Sequence, residues 1–188
     1  ALLDTISLPH INGELGDTKS LDKIENYIKS SKRKIIWVGN GAKFATEEIN
    51  LFIKMGFAVV TSTQGRGVVP ETNKMCLGAY NAVPLIEEFY KTLDLMIVVG
   101  SRLRGHETRD MSLELPKNLV QIDIDPSAKN RTYKTNQFHC GDAKKVLAEL
   151  VKRLDGKISV DNEWINEVSD LKNRIYLDYK LSLIHISE

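Results

Sequence analysis

Four apolar runs of strand length recur in this chain, Ile35 to Val38, Ala58 to Thr61, Leu95 to Val99 and Leu119 to Ile124, and apart from Gln121 and Asp123 in the fourth they are continuous rather than alternating. A strand with one wet face alternates apolar and polar residues. A continuous Val- and Ile-rich run is what a strand needs when helices cover both faces, as in a parallel sheet. Helical patterns fill the intervals. After Gly41, residues Ala45, Ile49, Phe52 and Ile53 share one face, and Gly56 is placed to end that helix in the left-handed conformation. After Pro84, Leu85, Ile86 and Phe89 point one way along a short helix. After Asp142, a suitable N-cap, the residues Val146, Leu147, Leu150, Val151 and Leu154 repeat with a period near 3.6. Strands alternating with helices over short connections imply right-handed crossovers. The prediction is an α/β domain of three layers, with a doubly wound parallel sheet and flanking helices.

The segments outside this alternation set the expected boundaries. Residues 1–18 read as an N-terminal linker, 19–156 as the central α/β domain, and 157–188 as a C-terminal helix and linker to a further domain. Leu21, Ile24 and Ile28 predict a helix capped by Ser20, followed by the charged SSKRK. After the DGKIS turn, a long helix is expected from about Asp161, with Trp164, Val168, Leu171 and Ile175 on one face, and Tyr176 and Tyr179 further along the same packing segment. A start at Ala1 and a polar end, LSLIHISE, give the expectation of an excised piece.

Totals narrow the function. With 42% hydrophobic residues the chain can bury a core, and a net charge of +1 provides no global field for nucleic acid or an anionic membrane. No apolar run approaches the roughly 20 residues of a membrane span. Cys76 and Cys140 form no C-x-x-C pair, so a reducing, cytoplasmic setting is expected, with both thiols buried.

Chemistry in such a sheet belongs beyond the carboxyl ends of the strands. The loops there are Gly39-Asn40-Gly41, Thr61 to Gly67, Gly100 to Arg104, and Asp123-Ile124-Asp125-Pro126. Their glycines allow close backbone approach, a helix starting at Ala42 would direct its positive end there, and Arg66, Arg102 and Arg104 offer forks for phosphate. Asp123 or Asp125 can hold a ribose hydroxyl. This outlines a nucleotide site, against the plainer reading of turn glycines and surface ion pairs. It is not a dinucleotide fingerprint, because Phe44 stands where the third glycine belongs. His106-Glu107 and His139-Cys140 lack partners at metal-ligand spacing and read as loop or strand-end residues, so no metal site is expected. Glu47-Glu48 and Glu87-Glu88 read as solvated faces, and Arg109-Asp110 as structural.

The order IIWVGNGA, AVVTSTQGRGVVPE, CLGAYN, LDLMIVVGSRLRGHET, NLVQIDIDPSA and HCGDAKKVLAEL, from roughly Leu21 to Leu154, resembles the central domain of thiamine diphosphate-dependent enzymes of the acetolactate synthase group. The resemblance implies a sheet of the NAD- or FAD-binding type shared with deoxyhypusine synthase. It also implies a parent protein with three α/β domains, in which the other two hold thiamine diphosphate and Mg²⁺. Gly141-Asp142, followed by Ala143 and a helix, matches the central domain's own ending and not the metal-binding motif. The fragment alone is then expected to contain no catalytic residue and to be inactive.

In several members the central domain binds the ADP part of FAD. The matching positions are Gly39, Gly41, Thr61 to Thr63, Gly65, Leu77, Gly78, Gly100, Arg102, Asp123, Ile124, Asp142 and Ala143. Flavin-binding members commonly read Gly-x-Arg-Phe-Asp-Asp-Arg in the fourth loop, where this chain has Gly100-Ser101-Arg102-Leu103-Arg104-Gly105-His106. The implied parent decarboxylates a 2-oxo acid and transfers the two-carbon unit, and its partners are its own flanking domains and further copies of itself. Two alternatives stand beside this: a flavin-free scaffold domain of a 2-oxo acid decarboxylase, and a stand-alone NAD-using enzyme of sirtuin or deoxyhypusine synthase type.

Overall fold

The computed structural model describes residues 13–186, with side chains through residue 180. In chain order the elements are α1 (Thr18–Ser30), β1 (Lys34–Val38), α2 (Thr46–Lys54), β2 (Ala58–Thr61), α3 (Pro84–Lys91), β3 (Leu95–Val99), β4 (Leu119–Asp123), β5 (Gln137–Cys140), α4 (Ala143–Leu154) and α5 (Asn162–Ile186). Most of the expected N-terminal linker lies outside the described residues.

The five strands pair in the order β2-β1-β3-β4-β5, all parallel. Beside β2, Cys76 forms a parallel bridge with Val59, and the Leu77 N–H donates to the Val59 carbonyl at 2.8 Å. This short segment extends the sheet edge and completes a doubly wound arrangement of nucleotide-binding type.

Strand residues alternate between two cores. Ile36, Val38, Val59, Ile97, Val99, Val120 and Ile122 pack with α1, α2 and α4. Ile35, Trp37, Ala58, Val60, Met96, Val98 and Leu119 pack with α3 and α5. Both faces are covered, which is why the runs are continuous. β5 differs because it lies at the sheet edge and carries only the sequence QFHC; no apolar run announces it.

The helix boundaries follow local chemistry. Gly56, at φ 85°, receives the chain as α2 ends, as expected. Asp142 caps α4 by accepting the Lys145 N–H at 3.0 Å. The cap of α1 is Asp17, which accepts the Lys19 N–H at 3.0 Å, rather than Ser20. Ser20 lies inside the helix, where its hydroxyl contacts the Asp17 carbonyl and the Nδ1 of buried His139. On α5, Trp164 stacks on Phe89 with ring centroids 5.5 Å apart and donates its indole N–H to the Gly56 carbonyl at 2.7 Å. Val168, Leu171 and Ile175 continue that buried face, while Tyr176 is 63% exposed and Tyr179 leaves the stripe to lie against Tyr80.

Two further expectations are corrected. Glu48 is buried rather than solvated, because its position next to Ile49 puts it at the margin of the apolar face of α2. Cys76 is buried but Cys140 is exposed, since alternate residues of an edge strand face outward. Among the described residues no helix is long and apolar enough to cross a membrane.

Candidate functional site

Strand order reverses between β1 and β3, which are neighbours although β2 lies between them in sequence. Beyond their carboxyl ends a cleft of about 350 Å³ opens, walled by the loops after all five strands. That is a volume typical of small-molecule sites, at the position where such sheets place them.

The floor of the cleft is where two loops touch. The Gly39 N–H donates to the Val99 carbonyl at 2.8 Å and the Gly41 N–H to the Gly100 carbonyl at 3.0 Å. A Cβ on Gly41 would lie 2.8 Å from the Gly100 Cα, and one on Gly100, whose φ is 58°, would lie 2.6 Å from Gly41 backbone. These glycines therefore exist so that the β1 and β3 loops can meet. Their meeting also changes the expected helix. With the amides of Gly41 and Ala42 bonded to Gly100 and Gly39, Asn40–Ala42 makes a single tight turn, and α2 begins only at Thr46. The helix end that does reach the cleft is that of α4, through Asp142 and Ala143. Its first amides supply the partial positive charge.

Of the predicted positions, Gly41, Gly100, Arg102, Asp123, Ile124, Asp142 and Ala143 line the cleft together. The other six are not among its lining residues. Gly39 packs under Gly100 and Ser101, and Gly65 is buried against the Val38 carbonyl. Thr61 is buried at the end of β2 with its amide bonded to the Gly78 carbonyl at 3.0 Å, and among the described residues its hydroxyl has no partner. Thr63 is exposed and gives its N–H to Glu107 Oε1 at 2.6 Å. Leu77 belongs to the core under α3 and α5.

Charge is mixed across the opening. Arg102 Nη2 lies 3.0 Å from Asp125 Oδ2, while Arg104 and His106 are exposed on the same rim. Arg66 is not in the cleft, being paired with Glu71 at 2.9 Å. Asp123 is nearly buried, and burial raises its pKa against the opposing effect of the Asp125 N–H that it accepts at 2.9 Å. Asp125 is held below the usual carboxylate range, first by its bonds to Ser127 and then by Arg102.

Asn40, Ser62, Gln64, Ser101 and Arg104 line the cleft from the loops named above, whereas His106 and Glu107, expected as ordinary loop residues, also line it. Glu107 is the most consequential. It is buried, and by accepting the Thr63 amide it ties the β2 loop to the β3 loop inside the cleft. Its signal was an acidic residue next to a nucleotide-type loop, read only for metal spacing. Among the described residues no cluster of His, Cys, Asp and Glu is arranged to hold a metal ion.

The fold and cleft define a doubly wound α/β domain of nucleotide-binding type. Residues 21–150 match the family described as thiamine pyrophosphate enzyme, central domain, and the chain belongs to that family. It is 28% identical over 174 residues to a "Probable acetolactate synthase large subunit" of Methanococcus aeolicus, covering 84% of this chain and 29% of that protein. It is likewise 28% identical over 180 residues to the acetolactate synthase large subunit of Buchnera aphidicola, covering 91% of this chain and 31% of the relative. The chain thus spans under a third of the length of these curated relatives. A solved structure from Mycobacterium smegmatis, provisionally assigned as a thiamin diphosphate-dependent enzyme, shares the fold with a TM-score of 0.62 at 20% identity, over 86% of this chain and 32% of that one.

Proposed function

We propose that this domain is the central part of a thiamine diphosphate-dependent 2-oxo acid decarboxylase or carboligase, and that its cleft takes the ADP part of FAD. The observation that carries the reading is the composition of the cleft at the strand reversal: Arg102 and Arg104 on one wall, the α4 N-terminus on another, and Asp123 between them. Arginine forks and helix amides suit a diphosphate. The Asp123 carboxylate can accept from ribose hydroxyls, and exposed Ile124 offers apolar surface to a sugar or base. Arg102 would leave Asp125 for phosphate, because a planar guanidinium can engage two oxygens at once.

Thiamine diphosphate would supply carbanion stabilisation in the parent. The described residues do not fit it: both Gly-Asp pairs, Gly16-Asp17 and Gly141-Asp142, are committed to capping α1 and α4. The catalytic cofactor and Mg²⁺ therefore belong to flanking domains, and the fragment alone turns nothing over. The full-length protein would be a homo-oligomer in a reducing, cytoplasmic setting, in keeping with free Cys76 and Cys140. DNA sequence on either side of the coding segment tests the parent: a glutamate domain upstream and Gly-Asp-Gly…Asn downstream are expected.

A second reading, a flavin-free scaffold, is favoured by the closed Arg102–Asp125 pair and by loop amides already consumed within the fold. Thermal melts with FAD and with ADP separate the two. A ligand at about 100 times its dissociation constant adds about 2.7 kcal/mol of stability. The cleft reading expects that shift in the wild type and a smaller one in Arg102→Ala; melts unmoved by either nucleotide favour the scaffold.

A further inference from the structure

The opposite end of the strands, where β1 begins, holds a second hollow of about 300 Å³ between the end of α1, the turn at Gly56 and the segment leading into α5. Among the described residues, Lys29, Lys32, Lys34 and Lys157 line it, with Asp161 the one carboxylate on its wall. Lys34 is unusual. Its residue is 5% exposed, yet among the described residues no carboxylate pairs with its ammonium, which donates instead to the Ser31 carbonyl at 3.0 Å, with the Lys32 carbonyl at 3.5 Å. It lies 5.6 Å from the centre of the Phe57 ring.

The surrounding acids are occupied. Asp94 accepts the amides of Lys32 and Arg33, both at 2.8 Å, and Asp161 accepts the Glu163 amide at 2.9 Å. Glu25 pairs with Lys29 at 2.5 Å and lies 3.7 Å from Lys157. A buried ammonium with no carboxylate in direct contact is costly, and burial lowers the Lys34 pKa, with the Asp94 charge only opposing it from a distance. An anion entering the hollow would supply the direct contact that Asp94 does not make.

We propose that this hollow is a binding site for a small oxyanion of the phosphate class, held by Lys34 from within and by Lys32 and Lys157 at the mouth. Ser159, which also lines the hollow, carries a hydroxyl able to donate. The site lies at the opposite end of the strands from the nucleotide cleft, so the two can be tested separately.

The test is a titration of the chain with inorganic phosphate at constant ionic strength, read by the thermal midpoint and by the Trp164 indole N–H resonance, since Trp164 also lines the hollow. Phosphate should raise the midpoint and move that resonance saturably. Lys34→Met should weaken binding by about tenfold or more, the loss of one charge-assisted hydrogen bond. Lys32→Gln, at an exposed position, should weaken it without disturbing the fold, and Arg102→Ala should leave it intact. An equal effect from chloride, an undiminished effect in both lysine variants, or loss in Arg102→Ala would each overturn the proposal.

Discussion

Arg109, Asp110 and Met111 hold φ values of 50°, 53° and 67°, three successive residues in the left-handed region without a glycine among them. Each such residue costs about 1–2 kcal/mol. The turn persists because its neighbours hold it: the Asp110 N–H donates to the Gly105 carbonyl at 2.7 Å and the Leu113 N–H to the Thr108 carbonyl at 3.0 Å. Met111 is 53% exposed, so its side chain contributes little packing. Met111→Gly should raise stability by about 0.5–1 kcal/mol, and Met111→Val should lower it, in denaturant melts. The order Gly, Met, Val is the point to check. Asp123 gives a pH test. Its folded pKa is raised by burial, so the folded state binds the proton more tightly than the unfolded chain. Stability from this group is therefore fully present below its unfolded pKa and lost as pH rises through the folded value. Asp123→Asn, which keeps an oxygen for the Asp125 amide, should stabilise the domain at pH 7, with the gain vanishing below about pH 4. A gain that grows on acidification would contradict that account of the buried carboxyl.

At the scale of elements, what could be read from the residues depended on where each element sits. β1, β2, β3 and β4 are buried on both faces, and their apolar runs were legible for that reason. β5 was not, because an edge strand with His139 bonded to Ser20 and Leu15 needs no such run. The start of α2 was misread because bonds from the β3 loop, invisible in local spacing, hold Gly41. The same holds for the site. Loop tips after strands, with the family resemblance for Asp142 and Ala143, pointed to most of the cleft lining, but the place of Glu107 in it depends on a contact between residues 44 positions apart. The docking of α5 was legible from Trp164 and its helical repeat. Trp164 is gripped on one side by Phe89 and approached by the Arg33 guanidinium at 4.7 Å. Trp164→Ala should cost about 3–5 kcal/mol. It should also raise amide exchange along α5 before that of the sheet, which hydrogen exchange can resolve. Uniform protection would mean that α5 is held by something other than this anchor.

For the whole molecule, the sheet brings together loops that are far apart in sequence and leaves two hollows at its opposite ends, one after the strands and one before them. The first rests on contact between Gly41 and Gly100. Gly100→Ala should distort both loops, since the added methyl would meet backbone at 2.6 Å and force a left-handed φ on alanine. Its expected result is weakened nucleotide binding together with a lowered thermal midpoint; full binding in this variant would mean that the contact does not shape the cleft. The most direct measurement of the central claim is a map of backbone amide resonances during titration with ADP. The account predicts saturable shifts at Asn40, Ser101, Ile124 and Ala143, with the Gly56 and Ser159 region unmoved. Saturating ADP that leaves those four amides in place, in a chain still folded, would contradict it.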